Sequence, residues 1–330
     1  MVQSKNLNAT TPPDQTVQSV QTVILAGPTA VGKSDLAIRF ALDQQSRSAT
    51  AIEIINADSV CFYQHFNIGS AKPSREDLKL VPHHLINVAQ PNDIYDASKF
   101  LEAVAQKLTE IHQRGKRAII VGGSGFYLKA LRYGLWDAPA TDLVFRRTLD
   151  DLPTPTLFER LMNHDPIHAK KIGSADRYRI IRALEIIHGS GGITPTEMQQ
   201  QMNKTPDARF QLWTVDRERS ELETRMVDRI QKMLDQGFIN EVQSLKEKYP
   251  KSKTLHAIGY QQVLDFLDSK LPSGRKIRDG LLGLKDEIAL AHRQLAKQQR
   301  TWFNGLKPER TFLLPAHQEQ LQVELITHYQ

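Results

Sequence analysis

The chain reads as an α/β protein in which a parallel sheet core is interrupted by a helical insertion and closed by C-terminal helices. Three observations predict this. Short apolar runs alternate with stretches of helical period from Thr22 to Tyr133. A glycine-rich turn joins the first such run to the first such helix. Beyond Tyr133 the apolar runs nearly stop while helical periodicity continues.

In chain order, TVILA from Thr22 reads as a strand bounded by a glycine turn, and SDLAIRFALDQQ carries apolar residues at helical spacing. AIEIINADS, Ala51 to Ser59, predicts a second strand, and a helix follows from Ala97 to Gln113. RAIIVGG from Arg117 predicts a third strand that enters the helix GFYLKAL. Strands alternating with helices imply a parallel sheet covered on both faces. PTLFERLMNH, IHAKKI and DRYRIIRALEIIHG are helical by period and are separated by proline and glycine breaks. The extended run FQLWTVD spans Phe210 to Asp216. The expected organisation is a core of residues 22–136 and 211–330 with a helical insertion at 137–210. Two amphipathic stretches, SELETRMVDRIQKMLDQG and HAIGYQQVLDFLDS, precede a long basic helix from Lys276 to Phe303 and a closing strand and helix. Residues 1–21 read as a disordered leader.

Composition narrows the function classes. A single cysteine, Cys61, permits no internal disulfide and no paired-cysteine zinc site, which fits a reducing cytoplasm. No apolar run approaches the roughly 18 residues of a membrane helix, and the N-terminal stretch lacks the apolar core of a secretory signal. The balance of 43 Lys+Arg against 37 Asp+Glu, a net +6, is compatible with a polyanionic partner without establishing one.

The strongest local signal is GPTAVGKS, Gly27 to Ser34, which fits G-x-x-x-x-G-K-[ST] between a strand and a helix and makes the core P-loop NTPase-like. Such a loop points backbone N–H groups inward and adds the positive end of a helix. Its lysine, Lys33, reaches phosphate, and its Ser34 hydroxyl can hold Mg²⁺. The motif implies phosphate without specifying ATP. Asp58 and Ser59 fall at the C-terminal end of the second strand, where parallel sheets gather ligand groups. There a carboxylate can act as a base or a water-mediated metal ligand, or simply cap a turn. Ser124, in a glycine turn after the third strand, can face the same crevice, although such turns also serve close packing. Lys72 sits on a turn-rich loop where solvation is the default.

The adjacent His83 and His84 point in different directions, with no ligand-spaced partner nearby, which argues against a metal site. Cys61 reads as a small buried hydrophobe rather than a nucleophile. Arg225 and Arg229 share a helix face, either to bind an anion or to pair with Glu221 and Glu223. Arg293, Lys297 and Arg300 form one basic stripe beside Trp302, suited to a phosphate backbone or to solvent.

Taken in order, GPTAVGKS, INADS, YQHFNIGSAKP, PHHLINV, VGGSGFYLKAL, RALE, RMVDRIQKMLDQGF, IGYQQ and AKQQRTWF resemble bacterial tRNA dimethylallyltransferases of the IPP transferase family over Val23 to Phe303. The resemblance implies transfer of a dimethylallyl group from dimethylallyl diphosphate to N6 of adenosine 37 in tRNA. Pyrophosphate leaves and Mg²⁺ assists. By the same resemblance Asp58 is the general base, Ser124 contacts the reacting region, and Arg229 with Arg225 clamps the diphosphate opposite the loop. Gly27, Pro28, Thr29, Ala30, Val31, Gly32, Lys33 and Ser34 cradle the leaving group, and Ser34, with Asp58 through water, holds the metal.

The matched tRNA-contact positions are Asp58, Ser59, Val60, Cys61, Ser124, Tyr178, Arg179, Ile180, Ile181, Arg182, His256, Gly259, Tyr260, Gln261, Arg293, Lys297 and Arg300. Arg146 is a further candidate backbone contact, and the insertion would grip the anticodon stem-loop. A base to be modified must leave its stack, which predicts a channel. The chain departs from the family pattern at Ser124, usually threonine; at Cys61, often glutamine; and at Gln298, often arginine. A cytoplasmic monomer is expected. The nearest alternatives are an adenylate isopentenyltransferase acting on free AMP or ATP, a P-loop small-molecule kinase, and an RNA-binding module with a decayed loop. The insertion, the motifs beyond Pro73 and the intact Gly32, Lys33 and Ser34 argue against these in turn.

Overall fold

The computed structural model describes residues 21–48, 50–202, 205–270 and 278–330. The leader, up to residue 20, and the expected start of the basic helix at Lys276 lie outside these residues. Six parallel strands form one sheet: β1 (Thr22–Ala26), β2 (Ile52–Asn56), β3 (His83–His84), β4 (Arg117–Gly122), β5 (Phe210–Arg217) and β6 (Arg310–Leu314), in the order β3-β2-β4-β1-β5-β6. β1 lies between β4 and β5, with Ile24 opposite Ile120 on one side and Leu212 on the other. β1 to β5 are nearly continuous apolar runs except at the edge strand β3, because helices cover both faces of a parallel sheet. The strand order reverses beside β1, so the loops after β1, β2 and β4 open at a topological switch point, where such sheets bind ligands.

Helices α1 (Lys33–Arg47), α2 (Arg75–Leu80) and α3 (Ala97–Gln113) separate the first strands. α1 buries Leu36, Ala37, Phe40 and Ala41 against the sheet. Later in the chain come α4 (Gly125–Tyr133), α5 (Leu143–Asp150), α6 (Thr154–His164), α7 (Pro166–Ile172), α8 (Arg177–Gly189) and α9 (Pro195–Gln201). After β5 the chain forms α10 (Arg219–Asp235), α11 (Phe238–Lys248), α12 (Tyr260–Leu267), α13 (Gly280–Gly305) and α14 (Gln318–Tyr329). The last helix closes the sheet: the Tyr329 hydroxyl donates to the Ala118 carbonyl at 2.7 Å and accepts from the Val23 N–H at 3.0 Å. A second core joins Phe66, Phe238, Tyr260, Ile230 and Ile288 beneath α10 to α13.

The chain divides into two compact units. The sheet unit runs through Ile94 and takes in Val104–Ser124 and Ala208–Gln330; the helical unit comprises Tyr95–Ala103 and Gly125–Asp207. The helical unit therefore begins before the expected residue 137 and ends before 210. α4 belongs to it because Tyr127 stacks edge-on to Phe100 and donates to the Tyr95 carbonyl. Phe210 is excluded because it is the first residue of β5.

Leu149, Leu157, Leu161, Ile180 and Leu184 form the core of the helical unit. Buried Asp165 ties α7 to α9 by accepting from the His168 and Thr196 N–H groups and the Thr196 hydroxyl. Among the described residues no helix is long and apolar enough to cross a membrane.

Candidate active site

The loop between β1 and α1 takes its shape from two glycines. Gly27 has φ +156°, and a Cβ there would lie 2.2 Å from the Val215 carbonyl oxygen. Gly32 has φ +101°, and a Cβ there would press on the Arg225 guanidinium at 3.3 Å. Three arginines brace the loop. Arg217 Nε donates to the Val31 carbonyl at 2.9 Å, Arg225 Nε to the Ala30 carbonyl at 3.0 Å, and Arg229 Nη1 lies 3.5 Å from the Thr29 hydroxyl. Arg225 and Arg229 are one turn apart on α10 and face the loop together. Arg217, at the end of β5 and paired with Glu221, has a role the sequence did not reveal. Lys33 Nζ donates to the Gly27 and Pro28 carbonyls, both at 2.9 Å.

At the end of β2, Asn56 shapes the turn that presents Asp58. Its Oδ1 accepts from the Asp58 N–H at 3.1 Å, and its Nδ2 donates to the carbonyls of Asp58 and Leu85. Asp58 Oδ1 in turn accepts from the Val60 N–H. The Ser124 hydroxyl accepts from the Ser59 N–H at 2.9 Å, which leaves its own proton to donate.

These loops surround a cleft of about 420 Å³. Its lining includes Lys33, Ser34, Asp58, Arg225 and Arg229, with Asp35, Asp228 and Lys232, beside an apolar wall that includes Ile54, Ile86, Val121 and Leu295. Charged groups together with an apolar wall suit a ligand with an anionic head and a short hydrocarbon tail.

Burial draws the Lys33 ammonium down to about 8; Asp58 resists that shift and Arg229 adds to it. Burial likewise lowers the Arg229 guanidinium, opposed first by Asp58, without discharging it. Its Nε is buried with no hydrogen-bond partner, which is costly unless an anion serves it. Ser34 and Asp58 are oxygen donors of the kind Mg²⁺ takes, and both line the cleft.

Cys61 is buried, and its Sγ lies 3.8 Å from the Ser70 carbonyl. Burial raises its thiol well above the ordinary value, so it is no nucleophile at neutral pH. Lys72 is not the solvated lysine the sequence suggested. It donates to the Tyr63 carbonyl and to the Asn67 and Asn87 side chains, and burial draws it down to about 8. Glu241 on α11 holds the same loop from the other side, accepting from the Asn67, Ile68 and Gly69 N–H groups and the Tyr260 hydroxyl. That loop brings Ser70, Ala71 and Pro73 to the cleft.

The candidate tRNA contacts divide. Ile180, Ile181 and Tyr260 are in the core, at 0%, 3% and 0% exposure, so their side chains cannot meet RNA; their apolar bodies fill α8 and the α12 cluster instead. Gly259 is also buried. Arg146 and Arg182 flank buried Glu185 at 3.1 and 3.3 Å, and Arg182 also donates to the Pro139 carbonyl. Arg300 makes a bidentate pair with Asp216, so it carries a structural load within the stripe. Tyr178 is 60% exposed with Arg146 over its ring. Arg179, His256 and Lys297 are exposed, while Gln261 and Arg293 are half-buried.

The IPP transferase family model matches residues 61–306. tRNA dimethylallyltransferase 1 of Citrifermentans bemidjiense is 38% identical over 290 residues, 87% of this chain and 90% of that protein. The tRNA dimethylallyltransferase of Acinetobacter baumannii strain SDF is 37% identical over 86% of this chain and 90% of its own length. Among solved structures, the tRNA isopentenylpyrophosphate transferase of Bacillus halodurans superposes with a TM-score of 0.64 at 28% identity, covering 94% of this chain and 96% of that one. A eukaryotic dimethylallyltransferase captured acting on tRNA superposes with a TM-score of 0.71 at 25% identity, covering 88% and 73%. With a phosphate loop braced by arginines and a strand-end aspartate beside it, the chain belongs to the IPP transferase family.

Proposed function

We propose that this protein transfers the dimethylallyl group of dimethylallyl diphosphate to N6 of adenosine 37 in tRNA and releases pyrophosphate. One observation carries the chemistry: a P-loop cleft collects Lys33, Arg225 and Arg229 beside Asp58, the carboxylate presented at the end of β2. The charges of the three basic groups would neutralise the oxygens of the departing diphosphate, which gain charge as the carbon–oxygen bond breaks. Arg229 Nε, buried and unpaired, would gain an anionic partner. As N6 bonds to the allylic carbon it acquires positive charge, and Asp58 would take its proton. The Ser124 hydroxyl, with its proton free to donate, would orient the reacting groups. Mg²⁺, held by Ser34 and by Asp58 through water, would supply further charge neutralisation at the diphosphate. The apolar lining of Ile54, Ile86, Val121 and Leu295 would receive the dimethyl tail.

For the nucleic acid, Lys297 and Arg293 on α13 are the exposed and half-buried cations on which a phosphate backbone would lie. In the helical unit, exposed Tyr178 and Arg179 would contact the anticodon stem-loop.

The test incubates the protein and Mg²⁺ with isotopically labelled dimethylallyl diphosphate and either unmodified tRNA bearing adenosine at position 37 or free AMP or ATP. Nuclease digestion and mass spectrometry then map the label. Label at position 37 is the expected result. Label on free nucleotide would instead assign cytokinin-type synthesis, and label on neither would end the transferase reading.

A further inference from the structure

We infer that Gln299 is a positioning residue that fixes the spacing between the phosphate loop and the Gly123–Ser124 turn, and thereby between leaving group and acceptor. The inference rests on the transfer reading for its kinetic consequence and on geometry for the tie itself. Gln299 lies on the inward face of α13, 9% exposed, and lines the cleft. Its Oε1 accepts from the Thr29 N–H at 2.8 Å, and its Nε2 donates to the Gly123 carbonyl at 2.9 Å. One partner can only donate and the other can only accept, which fixes the orientation of the amide.

From there the path continues through one hydrogen bond between two pairs of chain neighbours. Gly123 precedes Ser124, the Ser124 hydroxyl accepts from the Ser59 N–H, and Ser59 follows Asp58. A single side chain therefore joins the cradle of the diphosphate to the segment that carries the base. Its nearest relatives in size and shape each fail at one end or both. Glutamate would set an oxygen against the Gly123 carbonyl, methionine offers neither donor nor acceptor, and asparagine is one methylene short.

The arginines hold the shape of the loop independently of this tie, because Arg217 and Arg225 bond the Val31 and Ala30 carbonyls from the α10 side. Loss of Gln299 should therefore spare anion binding and disturb alignment. Gly123 supplies a second way to break the tie. A Cβ there would lie 2.5 Å from Gln299 Nε2, the far end of a flexible side chain, so alanine displaces the amide at little cost to the fold.

Gln299→Met, Gly123→Ala and the double variant are compared with wild type after thermal melting has shown each folded. In the protein alone, hydrogen exchange at the Thr29 amide is expected to quicken in Gln299→Met and in Gly123→Ala. Single-turnover transfer at saturating donor is expected to fall about 100-fold, the scale of a misplacement near 1 Å, while the Kd for pyrophosphate holds. The double variant should be no slower than the slower single, since both break one tie. Unchanged exchange would overturn the tie whether or not wild type transfers. Unchanged transfer, or a pyrophosphate Kd that weakens in step with the rate, would overturn the positioning role. A wild type that transfers nothing to tRNA refutes the transfer reading and the kinetic role built on it, leaving exchange to decide the tie.

Discussion

At Glu53, the second residue of β2, one buried carboxylate meets His84 at 2.6 Å, Arg114 at 2.7 Å and Lys116 at 2.9 Å. In the cleft, on the same unit, Lys33, Arg225 and Arg229 gather, and Lys33 and Arg225 spend hydrogen bonds on backbone carbonyls while Arg229 Nε has none. The two places use similar residue types to opposite ends. Burial alone would raise the Glu53 carboxyl, but the His84 and Lys116 hydrogen bonds and the charges of Lys116 and Arg114 hold it below its ordinary value. Burial lowers Lys33 and Arg229 without enough negative charge to reverse it. A carboxylate whose hydrogen bonds are met stabilises a fold, and a buried cation with an unmet donor prepares a site for an anion.

The sharpest way to break this contrast is at the proposed base. Asp58→Ala is expected to slow transfer by about 10²- to 10⁴-fold while tRNA affinity, read by filter binding, stays near wild type. Full activity in that variant would remove Asp58 from the chemistry.

Next is the response of the cleft to pH. An anion that restores the Lys33 charge must drive proton uptake once Lys33 is neutral in the free protein. Pyrophosphate affinity should therefore weaken as pH rises above about 8, by about tenfold per unit, relative to Lys33→Met. Calorimetry in buffers of different ionisation enthalpy reads the uptake; parallel profiles for the two proteins would contradict it.

At the satisfied cluster, Glu53→Gln should cost about 1–3 kcal/mol at pH 7, discounted because Arg114 and Lys116 are partly solvated, and should leave pyrophosphate binding alone. The native Glu53 carboxyl lies below its unfolded value. Its contribution is thus complete above the unfolded value near 4.3 and is lost as pH falls through the native one. Urea unfolding of the two proteins should converge in acid. A constant gap would relocate the effect to packing.

The smallest effect concerns the basic stripe. Lys297→Ala should reduce the slope of log K against log salt for tRNA by about 0.9, with donor binding unaffected, whereas an unchanged slope would return Lys297 to solvent.

Much of this architecture was legible because periodicity is a local property. α3 spans Ala97–Gln113 as its spacing predicts, and the loop, Asp58, Arg225 and the apolar strands stand where their motifs imply, whereas Ser124 bonds the Ser59 N–H and is not among the residues lining the cleft. The short helices α2, α5 and α9 did not show in the pattern, nor did the two-residue strand β3, since so few residues carry no period. α11 was missed between two stronger amphipathic stretches, and with it Glu241. HAIGYQQVLDFLDS is not one helix but a 3₁₀ turn at Lys253–His256 and α12, divided where Gly259 takes φ +90°. Gln299 was hidden by position: the stripe Arg293, Lys297 and Arg300 marks a surface, and a glutamine beside it gives no sign that it faces inward. Arg300 shows the converse, since its charge is legible but its partner Asp216 lies 84 residues away in sequence. Long-range partnership of this kind is a property of the fold rather than of any window of sequence.

The two bonds from Lys33 to Gly27 and Pro28 also bear on which anions the loop will accept. Binding there would be an exchange, in which the ammonium gives up two carbonyl oxygens and receives phosphate oxygens in return. Two carbonyl dipoles compete better with sulfate or a single phosphoryl group, of at most about two charges, than with a diphosphate, which spreads more charge over two phosphoryl groups, so the loop would reject by comparison rather than by shape. Inorganic phosphate, sulfate and nucleoside monophosphates, common in any cell, would meet a lysine already served, and a diphosphate would be among the small ligands able to outbid the backbone.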